Sequence, residues 1–367
     1  MSLIPLPVVS RFDLACAISD PQAVSKPIAA RHALRNVRAF RRALLGWFTQ
    51  HGANYPWRCT TDPYAVLVSE IMLQQTTIGS VIQNRRFERF LDTFPDLHSL
   101  AEAPESDLLR AWEGLGYYNR VRNLQRTAQV ILAEHAGTFP ATPEGLESLP
   151  GVGRYTAGAV ASFAFGYPAP IVDANVSRVL SRLFDWREQI QTSRSQTRLW
   201  SWAGQLLDSN EPRSFNSALM ELGQTHCSPR SPDCPRCPIR NFCVTREPEK
   251  LPRKKPRRTP VKVDEHVLFV RKRSGPVLLA QEDGTRRKGL WKLPERSHGQ
   301  LADLPLLGTR NYGITHHKVT MHIYRCSPSQ LPPSEQKTTE KFHSSRELSD
   351  LPMPSPFRKA LQELLQE

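Results

Sequence analysis

The chain contains no run of about 20 apolar residues, so nothing in it reads as a membrane-spanning helix. It has no internal repeat, and Met1 to Pro7 lack the basic start and apolar stretch of a secretory leader. Negative charge is in short supply: 35 Asp and Glu stand against 49 Lys and Arg, leaving +14. Such a balance points to a polyanionic partner, a nucleic acid or an anionic membrane surface. Cysteine is also sparse. There are seven, an odd number, and four of them fall between positions 227 and 243. That distribution argues against a disulfide framework and for one metal or cluster site. The hydrophobic share of 39% and charged share of 23% exclude wholesale disorder, collagen and coiled coil. At 367 residues, two or three domains are expected.

Residues 1–35 read as an extension outside the folded part, expected to be disordered. From 36 to 245 apolar residues recur at three- and four-residue spacing, the mark of successive helices. Asp62-Pro63 is a helix start, with Asp as N-cap and Pro at the first helical position; that helix is predicted to run to about Ser80. Further helices are predicted at 105–113, 121–135, 155–165, 174–184 and 196–209. Residues 246–260, with four prolines and seven Lys or Arg, read as an extended basic linker. Beyond Val261 the short β-branched runs VKVDEHVLFV, PVLLAQE and KVTMHIYRC predict strands, and Pro356 to Glu367 one closing helix. The expected architecture is mainly α over 36–245 and α+β over 261–367.

Cys227, Cys234, Cys237 and Cys243 follow the spacing C-x6-C-x2-C-x5-C. Four thiolates so close together can wrap one metal centre, and by that chemistry zinc and a [4Fe–4S] cluster are equally good. Leu149-Pro150-Gly151-Val152-Gly153-Arg154-Tyr155 is a second signal. Gly151 and Gly153, directly before a predicted helix, would let backbone amides approach a phosphate, although an isolated GxG is usually a plain turn. A third is Glu70, a carboxylate inside Val66-Leu67-Val68-Ser69-Glu70-Ile71-Met72-Leu73. Burial would raise its pKa and let it hold a proton near neutral pH; taken alone, the sequence favours a solvent-facing position.

The cysteine spacing, preceded by Leu219-Met220-Glu221-Leu222-Gly223, resembles the iron–sulfur loop of the endonuclease III superfamily of DNA glycosylases. The LPGVGRYTA segment followed by Val172-Asp173 resembles that superfamily's helix-hairpin-helix motif and its trailing aspartate. Glu70 with Met72-Leu73-Gln74-Gln75-Thr76, Tyr55-Pro56-Trp57-Arg58 and Trp112-Glu113-Gly114-Leu115-Gly116-Tyr117-Tyr118 resemble the MutY-type adenine DNA glycosylases. The similarity covers roughly 36–245.

The resemblance implies a helix-hairpin-helix glycosylase fold of two helical lobes and a [4Fe–4S] cluster on the four cysteines. It implies that duplex DNA carrying adenine opposite 8-oxoguanine or guanine is the partner, bound by a monomer. Glu70 would protonate the adenine at N7, and Asp173 would stay ionised and stabilise the cationic sugar. Tyr155 and Asn175 would orient these acids. Tyr155 stands where bifunctional relatives carry a nucleophilic lysine, so a monofunctional enzyme leaving an abasic site is expected. Gln75 and Tyr117, with Gln74 and Tyr118 as rivals, match the intercalating positions, and Trp57 and Arg58 the pocket for the flipped base.

Residues 261–367 resemble the Nudix-like domain of the same family, but no Glu-rich metal-binding helix follows Pro294. Recognition rather than hydrolysis is implied. Ile314, Thr315 and His316 match the loop that reads 8-oxoguanine, with Ile314 in place of an aromatic residue. Ala174 and Ser177 are two further departures from the family pattern. A mismatch thymine glycosylase and a non-catalytic lesion binder are the alternatives; retention of both Glu70 and Asp173 argues against the second.

Overall fold

The computed structural model describes residues 36–256, 259–284, 287–334 and 339–366. The expected disorder of residues 1–35 lies outside the described residues. Twelve helices are formed over 37–225: α1 (Val37–His51), α2 (Pro63–Leu73), α3 (Ile78–Gln83), α4 (Arg86–Thr93), α5 (Leu97–Glu102), α6 (Glu105–Ala111), α7 (Asn119–Glu134), α8 (Pro143–Glu147), α9 (Arg154–Phe165), α10 (Ala174–Leu183), α11 (Ser193–Leu206) and α12 (Pro212–Thr225). After them come β1 (Val261–Val270), β2 (Val277–Gln281), β3 (Trp291–Lys292), β4 (Leu306–Ile314), β5 (His317–Cys326), β6 (Thr339–His343), α13 (Ser345–Asp350) and α14 (Ser355–Gln366). The mainly α region followed by small sheets is the expected fold class.

The helix α2 is the axis of the helical part. Tyr64 through Met72 are all buried, so the helix is apolar on every face and has no solvent side. Asp62 caps it, accepting from the Tyr64 and Ala65 N–H groups at 3.2 and 3.1 Å, with Pro63 in the first turn. It stops at Leu73 rather than near Ser80. Arg120 takes the carbonyls of Ile71, Met72 and Gln74 that a continuing helix would have used. Thr77 then caps α3 by accepting from the Ser80 N–H.

One group of helices packs α2 against α7 and α9, α5 on α7 and α8 on α9. A second packs α12 against α1 and α10, with α11 on α10, and α12 touches α9. At the α10–α12 crossing the backbones come so close that a Cβ on Gly223 would meet Asn175 Cβ at 2.7 Å.

In the sheet region β5 lies between β1, which it pairs in parallel, and β4, which it pairs antiparallel; β2 lies between β3 and β6. Val267, Phe269, Met321 and Ile323 face Phe357, Leu361 and Leu364 of α14. Leu290, from the β2–β3 connection, is fully buried in the helical core, and Arg358 of α14 is bonded to Glu113 at 2.8 and 2.9 Å.

Residues 248–253, read as part of an extended linker, are packed instead. Leu251 is buried, and Gln189 bridges to Arg253. Arg182, buried in α10, donates to Pro248 O at 2.7 Å and Leu251 O at 3.0 Å. Long-range bonds from Arg182 and from the Gln189–Ile190 backbone thus override the local composition.

Candidate active site

Glu70 follows from α2. Every face of that helix is apolar and covered, so the carboxyl is only 4% exposed. Desolvation pushes its pKa up to about 7, with Asp173 adding to the rise. The Tyr155 hydroxyl, donating to Glu70 Oε2 at 2.8 Å, and Arg58 oppose it. Tyr155 belongs to α9, whose packing on α2 brings a residue 85 positions away onto the carboxyl. Burial and the two neighbouring carboxyls hold the Tyr155 phenol well above its ordinary range, so it is a donor rather than an anion.

Asp173 is the N-cap of α10. Its Oδ1 accepts from the Val176 N–H at 2.6 Å and its Oδ2 from the Asn175 amide at 2.8 Å. Burial pushes this carboxyl upward, while the backbone N–H groups of Val176 and Asn175, the Asn175 amide and Arg178 pull it back. The helix N-terminus also favours the anion. Asn175 is held in turn: Arg178 donates to Asn175 Oδ1 at 2.9 Å, to Gly223 O at 2.6 Å and to Cys227 O at 2.7 Å. The carboxylate is therefore braced, through two side chains, against the start of the cysteine loop.

One turn further along α10, Arg182 holds that loop. It is 1% exposed and donates to Cys227 O at 3.2 Å, Cys227 Sγ at 3.3 Å, Ser228 O at 2.7 Å and Pro229 O at 3.1 Å. Val244 N–H bonds to Leu183 O at 3.0 Å and closes the far end. Cys227, Cys234, Cys237 and Cys243 line one cavity of about 510 Å3. Among the described residues no three His, Cys, Asp or Glu side chains close on a point where a single metal ion would sit. Four thiols lining one space, with a buried cation beside them, are a donor set that fits a metal centre held by thiolates, a cluster included.

Beside Glu70 lies a small cavity of about 40 Å3 lined by Tyr55, Trp57, Arg58, Ser69, Phe163, Ser217, Met220 and Gln224 among others. Trp57 stacks on Tyr55 with ring centroids 5.2 Å apart and meets Phe87 edge-on, so it serves the core and the pocket wall together. Arg58 pairs with Glu221, which also accepts from the Ala53 N–H at 2.8 Å. A cavity this small is closed to a purine, so access requires rim side chains to move.

Gln75 at φ 55° and Tyr117 at φ 46° are exposed side chains on left-handed backbone. For residues other than glycine that conformation is strained and must be held from outside. Arg120 holds both loops, bonding Thr76 Oγ1, Leu115 O at 2.9 Å and Gly116 O at 3.0 Å besides the end of α2. Its guanidinium also lies over the Tyr117 ring, 5.8 Å from the centroid. Gln74 points inward and donates to Thr156 Oγ1 at 3.2 Å, and Tyr118 is buried, so of the four wedge candidates only Gln75 and Tyr117 project.

Gly151 has φ 73°, and a Cβ there would meet the Asn123 side chain at 2.6 Å. Gly153 is the N-cap of α9, so the hairpin presents the start of that helix as expected. Ile314, Thr315 and His316 lie at the turn joining β4 to β5, with Thr315 at φ 54°. Ile314 and Thr315 share a cavity of about 470 Å3 with Gly114 to Arg120. The turn and the Tyr117 loop thus face one space.

The model of the HhH-GPD superfamily base excision DNA repair protein matches residues 68–205, which include Glu70, Tyr155, Asp173 and Asn175. Over 235 residues the chain is 34% identical to the adenine DNA glycosylase of Buchnera aphidicola subsp. Acyrthosiphon pisum, covering 63% of this chain and 67% of that one. The chain belongs to the adenine DNA glycosylase family. It is 41% identical over 232 residues to the adenine DNA glycosylase of Homo sapiens, 60% of this chain and 42% of that one. The match therefore spans less than half of that mammalian relative. Among solved structures, a thermostable thymine-DNA glycosylase aligns at 30% identity with a TM-score of 0.51, over 56% of this chain and 94% of that one.

Several side chains of this family member escaped the reading of its sequence. Arg178 and Arg182, four apart on α10, are buried cations, and a pair of arginines on one face of that helix was the available signal. Arg120 and Arg358 carried no local signal, because their partners lie far away in the chain, and Gln224 none because the cavity it lines is closed by distant segments.

Proposed function

We propose that this chain removes adenine from duplex DNA by hydrolysing its N-glycosidic bond. The adenine would be mispaired with 8-oxoguanine or guanine, and an abasic site would remain. The observation that carries the reading is the pairing of two unlike carboxyls: Glu70, desolvated to a pKa of about 7, and Asp173, which gathers N–H donors at a helix N-terminus. Burial raises both acids, but only Asp173 has N–H donors and a helix N-terminus opposing the rise, an asymmetry that suits acid catalysis with anionic stabilisation.

Glu70 delivers its proton to N7 of the flipped adenine as the C1′–N9 bond breaks, and the base leaves neutral. Asp173, ionised, stabilises the positive charge on the sugar. Glu70, now a carboxylate, takes a proton from the water that adds to C1′. Tyr155 holds Glu70 in place and has no amine with which to form a Schiff base, which supports monofunctional cleavage. Gln75 and Tyr117 project where they could fill the vacated stack. Trp57 and Arg58 would offer the base an aromatic face and a donor. The shared space lined by Ile314 and Thr315, with His316 next in the same turn, supports readout of the opposite base by the Nudix-like region.

Cys227, Cys234, Cys237 and Cys243 would hold a [4Fe–4S] cluster. When bound, it supplies four iron–thiolate bonds that tie the loop behind Arg178 and Asn175. The net charge of +14 supports phosphate contacts and a strong dependence of binding on salt.

The test is a single-turnover incubation with labelled duplexes carrying adenine opposite 8-oxoguanine, adenine opposite guanine, or thymine opposite guanine. Breaks on the adenine strand that need alkali support the proposal. Breaks without alkali would mean a lyase. Cleavage only at thymine would favour the activity of the thymine-DNA glycosylase to which the fold is similar.

A further inference from the structure

We infer that Gln224 is a specificity-determining residue whose side-chain carbonyl accepts a hydrogen bond from the exocyclic amine of the base protonated by Glu70. This rests on the adenine reading above. The helix α12 places Ser217, Met220 and Gln224 at i, i+3 and i+7, so the three share one face, and all three line the cavity beside Glu70.

Most of the polar groups around that cavity are already committed. Ser69 Oγ donates to Val66 O at 2.8 Å. Arg213 donates to Phe163 O at 2.5 Å and to Arg58 O and Thr60 O, both at 2.7 Å. Glu221, the acid of the same helix, is turned to Ala53 and Arg58 and is 2% exposed. Gln224 is different. Its Oε1 is buried, and among the described residues no donor reaches it. A desolvated carbonyl without a donor costs free energy that a bound N–H would recover.

Adenine has the matching edge. With N7 turned to Glu70, its 6-amino group and N1 form a donor–acceptor pair on the adjoining side. A carboxamide complements that pair, its carbonyl accepting from the amine and its N–H reaching N1. An unsubstituted purine keeps N7 and N1 and lacks only the amine. It therefore isolates the contact proposed for Gln224 from the chemistry at Glu70.

The experiment measures single-turnover excision of adenine and of unsubstituted purine, each opposite 8-oxoguanine, by the full chain. Wild type is compared with Gln224→Met, which keeps the side-chain volume, and Gln224→Ala. The expected result is that the adenine-over-purine rate ratio falls about tenfold in both variants, the loss on purine, which keeps only the N1 contact, being the smaller. An unchanged ratio overturns the inference, whether or not both rates fall. Loss of activity on both bases in both variants also overturns it, since that marks a structural role. A wild-type protein inert on adenine would instead overturn the adenine reading itself.

Discussion

Replacing Glu70 by glutamine keeps the shape of the side chain and removes its titration. In the folded protein desolvation lifts the Glu70 carboxyl from 4.5 to about 7, so roughly 2.5 pH units separate the folded and unfolded forms. At about 1.4 kcal/mol per unit, this amounts to about 3 kcal/mol. The folded pKa is the higher one, so the folded chain binds more protons between the two values. The stabilising contribution is fully present below pH 4.5 and is lost as pH rises through about 7. The glutamine variant has no such dependence. Relative to wild type it should gain up to about 3 kcal/mol between acidic pH and pH 8. Urea unfolding of both proteins at pH 5 and pH 8, followed by tryptophan fluorescence, gives the difference directly. A variant-minus-wild-type stability difference that stays constant across that range, or falls toward pH 8, would refute a buried, proton-holding Glu70. The same protonation should govern turnover, with the single-turnover excision rate of wild type declining as pH rises through about 7.

Three further outcomes are expected. Tyr155→Phe removes a hydrogen bond that lowers the Glu70 pKa, so the alkaline limb of the pH–rate profile should move to higher pH; a shift to lower pH contradicts the contact. Arg182→Met leaves the carbonyls of Ser228, Pro229, Pro248 and Leu251 without their donor, and should cost about 3 kcal/mol or more in urea unfolding and lower the iron bound per chain. Arg358→Ala breaks the bidentate bond to Glu113, which precedes the Tyr117 loop. It should reduce the preference for 8-oxoguanine over guanine opposite adenine, with a smaller effect on adenine opposite guanine; equal loss on both duplexes would show that the bond does not serve that preference.

The features legible in the sequence were those encoded over a few residues. Asp62-Pro63 starts α2 because cap and first turn are adjacent in the chain. Gly151, Gly153 and Asp173 are found at the hairpin and the helix cap where the pattern placed them, and the four cysteines line one cavity. What escaped depends on partners far away. The helix α2 ends about seven residues before Ser80 because Arg120, some 46 positions on, takes its carbonyls. The beginning of the basic linker is folded down by Arg182, about 70 positions earlier. The parallel pairing of β1 with β5 joins segments more than 50 residues apart and leaves no trace in either run alone. Glu70 sat between the two cases. The sequence taken alone favours a solvent-facing position for it, whereas packing of the whole α2 helix buries it and α9 brings Tyr155 to the carboxyl.

The central claim, that Glu70 and Asp173 together release adenine, is tested most directly by the product. A duplex with adenine opposite 8-oxoguanine is incubated with wild type, Glu70→Gln and Asp173→Asn, and free bases are separated by chromatography while abasic sites are counted. Wild type should release adenine in a one-to-one ratio with abasic sites, and each variant should bind the duplex yet release at least about a hundredfold less. Release at the wild-type rate by either variant, or abasic sites without free adenine, would contradict the account.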